Sequence, residues 1–524
     1  MKRTALWAMG AAALAAAPLQ AQPEWTTSDP VLRGIWEEGT RRSQLEPLAQ
    51  ALLDSLGPRL TATPGMFAAQ DWVVRTYGQW GITARNERYG TWRGWNRGYT
   101  HVDLLTPRVR TLEAMMLAWS PGTTAPVEAG VVVLPDVADS AAFRAWLPSV
   151  RGKFVMISFA PPTCRPDENW QRWAVPADWE RFRQQRSDAA QAWTQRVART
   201  GYTSRDLPVA LEQAGAAGIL TNLWSAGWGV EKIFNARTRT VPTVDLGCED
   251  YGLVYRLATS GDNPTLRMDT RAEFTGEETP VSNTIAEVRG TRKPDEYIML
   301  SAHFDSWDGA SGATDNGTGT IVMMETMRIL RQVYPRPNRT ILVGHWSGEE
   351  QGLIGSRAFA ADHPEVVRGL HALFNQDNGT GRIRNIGMQG FTGAAPIFRR
   401  WLAAMPAFVS DSVNIQDPGT PSGGGSDNAS FVCYGAPAFG LGSLSWDYGT
   451  YTWHTNRDTY DKISFDDVRR NALMVAMLVY LADQEPEMLP RDRITEFPVN
   501  QQTGQPGSWP ECQTPPRSIS EWTR

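Results

Sequence analysis

The sequence predicts an α/β protein: a three-layer sandwich in which helices cover both faces of a mostly parallel mixed sheet, with a β-rich domain inserted into it. Three observations carry this reading. Downstream of Ser282 the pattern alternates strand, loop and helix, whereas between about residues 123 and 280 it changes to short β-branched runs broken by Gly and Pro. Ahead of both, Glu46 to about Ala84 has helical periodicity.

Taken in order, Met1-Lys2-Arg3, an Ala/Leu-rich run from Thr4 to Pro18 and then Leu19-Gln20-Ala21 predict a signal peptide cleaved after Ala21 (residues 1–21). The apolar run is too short to span a bilayer. Residues 22–122 are expected to be the first part of the main domain, with its helical stretch broken at Leu56-Gly57-Pro58-Arg59-Leu60. The insertion, residues 123–280, is marked by Val131-Val132-Val133-Leu134 and Phe154-Val155-Met156-Ile157, and by a helix end turning into a strand over Ala214 to Leu220. Within it, residues 166–207 have a charged, Trp- and Ala-rich helical pattern that predicts a surface excursion. In residues 281–490 strands are expected at Glu296–Ala302, Thr340–Val343 and Leu370–Phe374, with helices at Thr318–Gln332, Leu353–Ala361 and Met474–Ala482. The Pro-rich tail, 491–524, should wrap the surface.

At 524 residues the chain is too long for one ordinary core, and its net charge of −5 with dispersed Lys and Arg gives no basic footprint for nucleic acid. No later segment has eighteen uninterrupted apolar residues, so no membrane association is expected after signal cleavage, and the location is secreted or periplasmic. A homodimer is compatible with the sequence, which leaves oligomeric state open. Four cysteines permit three full pairings in such an oxidising compartment; Cys164 with Cys248 and Cys433 with Cys512 is the simplest. Their spacing matches no thiolate metal motif.

Chemistry concentrates at the strand ends. His303 and Asp305 follow the first strand after Ser282, Gly344-His345-Trp346-Ser347-Gly348-Glu349-Glu350 closes the second, and Asp377 follows the third. Asp315 and His454 lie in intervening loops. Ligands in open α/β sheets gather beyond the carboxyl ends of strands, so these side chains should meet at one edge. Two adjacent carboxylates there can do two jobs, one holding a metal and the other moving a proton. Imidazole and carboxylate donors without thiolate suit two Zn²⁺, and also accommodate Mn²⁺ or Co²⁺. Asp305, two residues beyond His303, is placed to accept the other imidazole N–H. His345 is expected to pack at its strand end, because no H-E-x-x-H pattern includes it. No G-x-S-x-G elbow supports a serine hydrolase, and no Lys-Ser/Thr follows Gly423-Gly424-Gly425 to make a phosphate cradle.

Five ordered motifs, His303 to Asp308, Gly312 to Gly317, Gly348 to Gly352, Asp377-Asn378 and Trp453 to Thr459, resemble the series of the co-catalytic di-zinc aminopeptidase and glutamate carboxypeptidase family. Within it the carboxypeptidase Q branch is the nearest in likeness, through His303–Asp308 and the Glu487-Met488-Leu489-Pro490-Arg491 ending. The resemblance implies a zinc-exopeptidase fold with a protease-associated domain as the insertion. It implies one zinc on His303, Asp315 and Asp377, the other on Asp315, Glu350 and His454, and Glu349 as general base. Relatives often present a tyrosine hydroxyl near the last histidine, whereas Trp453 precedes it here, which leaves Tyr451 as the substitute oxyanion donor. Asp427 falls in a family pattern near the substrate pocket. The expected activity is hydrolysis of short peptides or dipeptides by a metal-activated water. The alternatives are a single-zinc enzyme of the glutaminyl cyclase type and a non-catalytic, receptor-like module of the same fold.

Overall fold

The computed structural model describes residues 25–497, 499 and 504–522, so the expected signal peptide lies outside the described residues. Four neighbouring strands, in spatial order Ala438–Ser443, Leu370–Asn375, Lys293–His303 and Arg339–Trp346, run parallel at the centre of a mixed sheet. Their apolar residues are continuous because both faces are covered. Ile298, Leu300, Ala302, Ile341, Val343 and Phe374 join one core with the helices Thr318–Val333 and Phe465–Gln484. Met299, Leu342 and Leu373, one residue out of phase, join Phe359, Val366 and Phe431 in a second core on the opposite face. Helix, sheet and helix therefore form the three expected layers. The helix expected from Met474 begins at Phe465, well ahead of that residue. Its first turns carry Asp466, Asp467, Arg469 and Arg470, which interrupt the apolar pattern.

The two longest strands, Thr83–Thr106 and Thr265–Val288, are rich in Arg, Glu, Asn and Thr and have little alternation to reveal them. They pair antiparallel along their whole length, with register shifts such as those between Arg88 and Gly90 and between Gly94 and Trp95. At one end Thr284–Val288 pairs with Ile341–His345, and at the other Leu266–Met268 pairs with Val127–Ala129. These ribbons make one continuous 14-stranded sheet out of two regions. The accessory region also takes in Ala114–Met116, which pairs with Val244–Leu246, so its material begins upstream of residue 123.

The excursion forms the helices Asp167–Trp173 and Pro176–Arg199, the second packed through Trp193 and Val197. Disulfides join Cys164 to Cys248 and Cys433 to Cys512, with Cα–Cα distances of 5.8 and 5.1 Å. The second ties down the tail, where Trp509 Nε1 donates to the Val432 carbonyl at 3.0 Å and Arg517 pairs with Asp362 at 2.8 Å. Among the described residues no helix is long and apolar enough to cross a membrane.

Candidate metal centre and active site

The register between Trp346 and His303 brings the carboxyl ends of the central strands level. His303 is the last residue of its strand, Glu349 and Glu350 follow Trp346, Asp377 follows Asn375, and the loop after Ser443 carries Tyr448 and His454. Two triads result: His303, Asp315 and Asp377, and Asp315, Glu350 and His454, the possible ligand atoms in each lying within 4.8 Å of one another. His303 Nε2 is 3.1 Å from Asp377 Oδ1 and 3.2 Å from Asp315 Oδ1. His454 Nε2 is 2.9 Å from Glu350 Oε2 and 3.3 Å from Asp315 Oδ2. All five expected ligands are thus brought together, with Asp315 common to both groups.

The chemistry of this cluster fits metal ions. Asp315 Oδ2 and Glu350 Oε1 are buried and receive no hydrogen bond among the described residues. Buried carboxylates without donors are costly unless paired or metal-bound. Burial pushes the Glu350 carboxyl well above the usual carboxylate range, and Asp315 adds to the rise. Burial does the same to Glu349, where His303 pulls down while Asp377, Asp427 and Glu350 push up. Against the effect of burial, Asp377 and Glu349 hold the His303 imidazole well above its ordinary pKa. A cation shared among these groups would relieve the mutual repulsion and the burial together.

Several buried groups that are not ligands hold the cluster in place. The imidazole His303 Nδ1 donates to the backbone carbonyl of Asp305 at 2.9 Å, while the Asp305 carboxylate stands 3.8 Å away. The expected carboxylate contact is therefore replaced by a main-chain one, because the chain turns after His303 instead of continuing as strand. The Asp305 side chain accepts the backbone N–H groups of Glu349 and Glu350 at 3.2 and 3.3 Å, which sets the divergent directions of that pair. Asp458 accepts the N–H groups of Thr314 and Asp315 at 2.7 and 3.0 Å, fixing the loop that carries the shared ligand. The guanidinium of Arg59, fully buried, donates to the carbonyls of Phe304, Ser311 and Gly312, so it clamps the His303 and Asp315 loops together.

His454 has a backbone φ of 62°, a conformation that costs a non-glycine residue free energy and needs support. The support comes from the accessory loop 222–236. Ile233 N–H donates to the His454 carbonyl at 2.8 Å and Asn456 N–H to the Glu231 carbonyl at 3.0 Å. Phe234, Trp307 and Trp453 surround the imidazole at centroid distances of 5.1, 5.8 and 4.0 Å.

The expected oxyanion and substrate contacts need correction. Tyr451 packs its ring on Gly227 of the accessory loop, where an added Cβ would stand 2.7 Å from Cε1, and the charges that perturb it are Glu168 and Asp447. Trp453 is used through its ring faces, against His454 and the Lys232 ammonium. Asp427 is fully buried, with its pKa pushed up to about 7 by burial, and its charge acts on Glu349. The tyrosine at the centre is Tyr448, whose hydroxyl is held protonated by burial and by the charges of Asp315, Asp377 and Glu350. It follows the fourth parallel strand, and recognising Ala438–Ser443 as a strand would have directed attention to the loop behind it. Asp458 stands inside a motif already singled out, but nothing local marks it as the partner of Asp315.

Residues 283–479 match the model of Peptidase family M28. Carboxypeptidase Q of Rattus norvegicus is 23% identical over 445 residues, 84% of this chain and 85% of the relative. That of Mus musculus is 25% identical over 446 residues, covering 84% and 86%. Among solved structures, a peptidase M28 precursor from Shewanella amazonensis superposes with a TM-score of 0.65 at 23% identity, over 88% of this chain and 97% of that one. A zinc aminopeptidase from Bacillus subtilis gives 0.54 at 17% identity, over 83% and 93%. The resemblance read from the motif series is thus to the family these comparisons return, and the structural likenesses show the same fold.

Proposed function

We propose that the protein is a secreted or periplasmic two-zinc exopeptidase that hydrolyses short peptides or dipeptides. The observation that carries this reading is the pair of buried triads sharing Asp315, with the Glu349 carboxyl beside them under the influence of His303, Asp377 and Glu350. Likeness to carboxypeptidase Q over most of both chains supports peptide hydrolysis. Imidazole and carboxylate donors without thiolate support zinc. Two disulfides and the expected signal peptide support an oxidising compartment outside the cytoplasm.

His303, Asp315 and Asp377 would hold one ion, and Asp315, Glu350 and His454 the other. Bound zinc supplies Lewis-acid polarisation and brings the pKa of a bound water towards about 7. Glu349, which belongs to neither triad, takes the proton of the attacking water and delivers it to the leaving amine, a role typically worth about 10²- to 10⁴-fold. The Tyr448 hydroxyl is kept protonated by burial and by the surrounding carboxylates, which suits it to donate to the developing oxyanion. The accessory loop docked on the His454 segment forms one wall of the cleft and favours short substrates.

Metal analysis of the purified protein, with a panel of free, N-blocked and C-blocked dipeptides, tests this. Two ions per chain and hydrolysis that requires a free terminus are expected. One ion with cyclisation of N-terminal glutamine would replace the reading with a cyclase, and no ion with no turnover would replace it with a binding module.

A further inference from the structure

Lys232 is a buried cation with no ion pair among the described residues, although the charge of Asp315 reaches it. It sits in the accessory loop between the strands Gly218–Thr221 and Thr243–Leu246, bridged to Thr455 and flanked by the backbone bonds that tie Glu231 and Ile233 to Asn456 and His454. Its backbone is therefore held beside the metal loop. Lys232 is only 9% exposed, yet no carboxylate lies within ion-pairing distance among the described residues. The ammonium lies 4.0 Å from the centroid of the Trp453 ring and has one carbonyl, that of Gly449, at 3.4 Å. An ammonium carries three donors, so this environment leaves it short of acceptors. Burying such a group is unfavourable unless an anion completes it.

The carboxylates of the metal centre do not fill that role once ions are bound. With ions bound, the triad carboxylates Asp315, Glu350 and Asp377 would be engaged by metal and not by Lys232. The Lys232 charge disfavours a substrate ammonium on that side of the cleft. We propose that Lys232 receives the α-carboxylate of a dipeptide substrate, so that a free carboxyl terminus one residue beyond the scissile bond is a determinant of specificity. This rests on the peptidase reading above. The reach is suitable: Trp453 directly precedes the ligand His454, and the carboxylate of a dipeptide lies only one residue, at most roughly 3.6 Å of chain, past the bond to be cut.

The test compares wild type, Lys232→Met and Lys232→Arg, all zinc-loaded, on Ala-Ala, Ala-Ala-amide and Ala-Glu-amide. Wild type should prefer Ala-Ala over its amide by roughly ten- to hundredfold in kcat/KM, the range for a charge-assisted hydrogen bond. Lys232→Met should lose that preference and Lys232→Arg should keep most of it. Equal loss on acid and amide in Lys232→Met would show a structural role and overturn the proposal. A preference surviving in Lys232→Met, or a Lys232-dependent preference that follows the glutamate side chain of Ala-Glu-amide, would also overturn it. Calorimetric binding of the reduced-bond analogue of Ala-Ala, with and without its carboxylate, separates the two readings. If nothing is hydrolysed but the carboxylate still strengthens binding in wild type and not in Lys232→Met, the contact stands and the peptidase reading falls.

Discussion

Replacing Glu349 with glutamine should separate proton transfer from metal binding. Among the described residues the Glu349 side chain has no hydrogen bond to lose, and its backbone N–H is held by Asp305 whatever the side chain is. The carboxyl belongs to neither triad, so both ion positions keep their donors. The amide preserves size but accepts no proton, so turnover should fall by the general-base factor of about 10²–10⁴, a barrier increase of about 2.7–5.5 kcal/mol. Metal-free stability should be equal or higher, because burial and three neighbouring carboxylates disfavour the charged glutamate in the fold. Glu350→Gln should behave oppositely. Its carboxylate meets His454 Nε2 at 2.9 Å, so an anionic donor is lost, the second ion binds more weakly, and excess zinc restores part of the activity. Zinc content, kcat on a dipeptide and thermal melting of both purified variants decide between the roles. A Glu349→Gln protein that lost zinc, or retained kcat within tenfold of wild type, would refute the assignment.

Asp458→Asn replaces an acceptor of two buried N–H groups with an amide that can satisfy only one through its oxygen, so zinc affinity should fall roughly 10- to 100-fold in a chelator competition. Tyr448→Phe should lower kcat by about 10²–10³ with little change in zinc content, whereas Tyr451→Phe should be close to wild type. His371 is buried neutral, with its pKa lowered by burial to about 3 from 6.5, and its Nδ1 accepts Leu489 N–H at 3.1 Å. Because the folded pKa lies below the unfolded one, the unfolded chain binds the extra proton between those values, and the stability His371 contributes is present above pH 6.5 and lost as pH falls towards 3. The urea midpoint of wild type should therefore drop through that window, and the slope should be shallower in His371→Gln.

The sequence by itself determined the parallel strands that hold the metal-type side chains, because a strand buried on both faces must be written as an apolar run, and its polar terminus then stands out. His303, Glu349, Glu350 and Asp377 were legible for that reason, and the 3.6-residue period of the neighbouring helices placed the layers. The two disulfides also matched the simplest pairing, since each joins segments that fold against each other. Tertiary structure alone decided the rest. The 24-residue strands Thr83–Thr106 and Thr265–Val288 gain their stability from each other and from neighbouring strands of the same sheet, and their own side chains are too polar to announce it. Asp305 turned from imidazole partner to support of the glutamate pair because its direction depends on where the chain bends after the strand. Tyr448 and Tyr451 are three residues apart in one loop, and the tertiary packing puts Tyr451 on Gly227 of the accessory loop and Tyr448 within the field of Asp315. Lys232 is more than two hundred residues from His454, and no local pattern can encode a contact made between two loops so far apart in the chain.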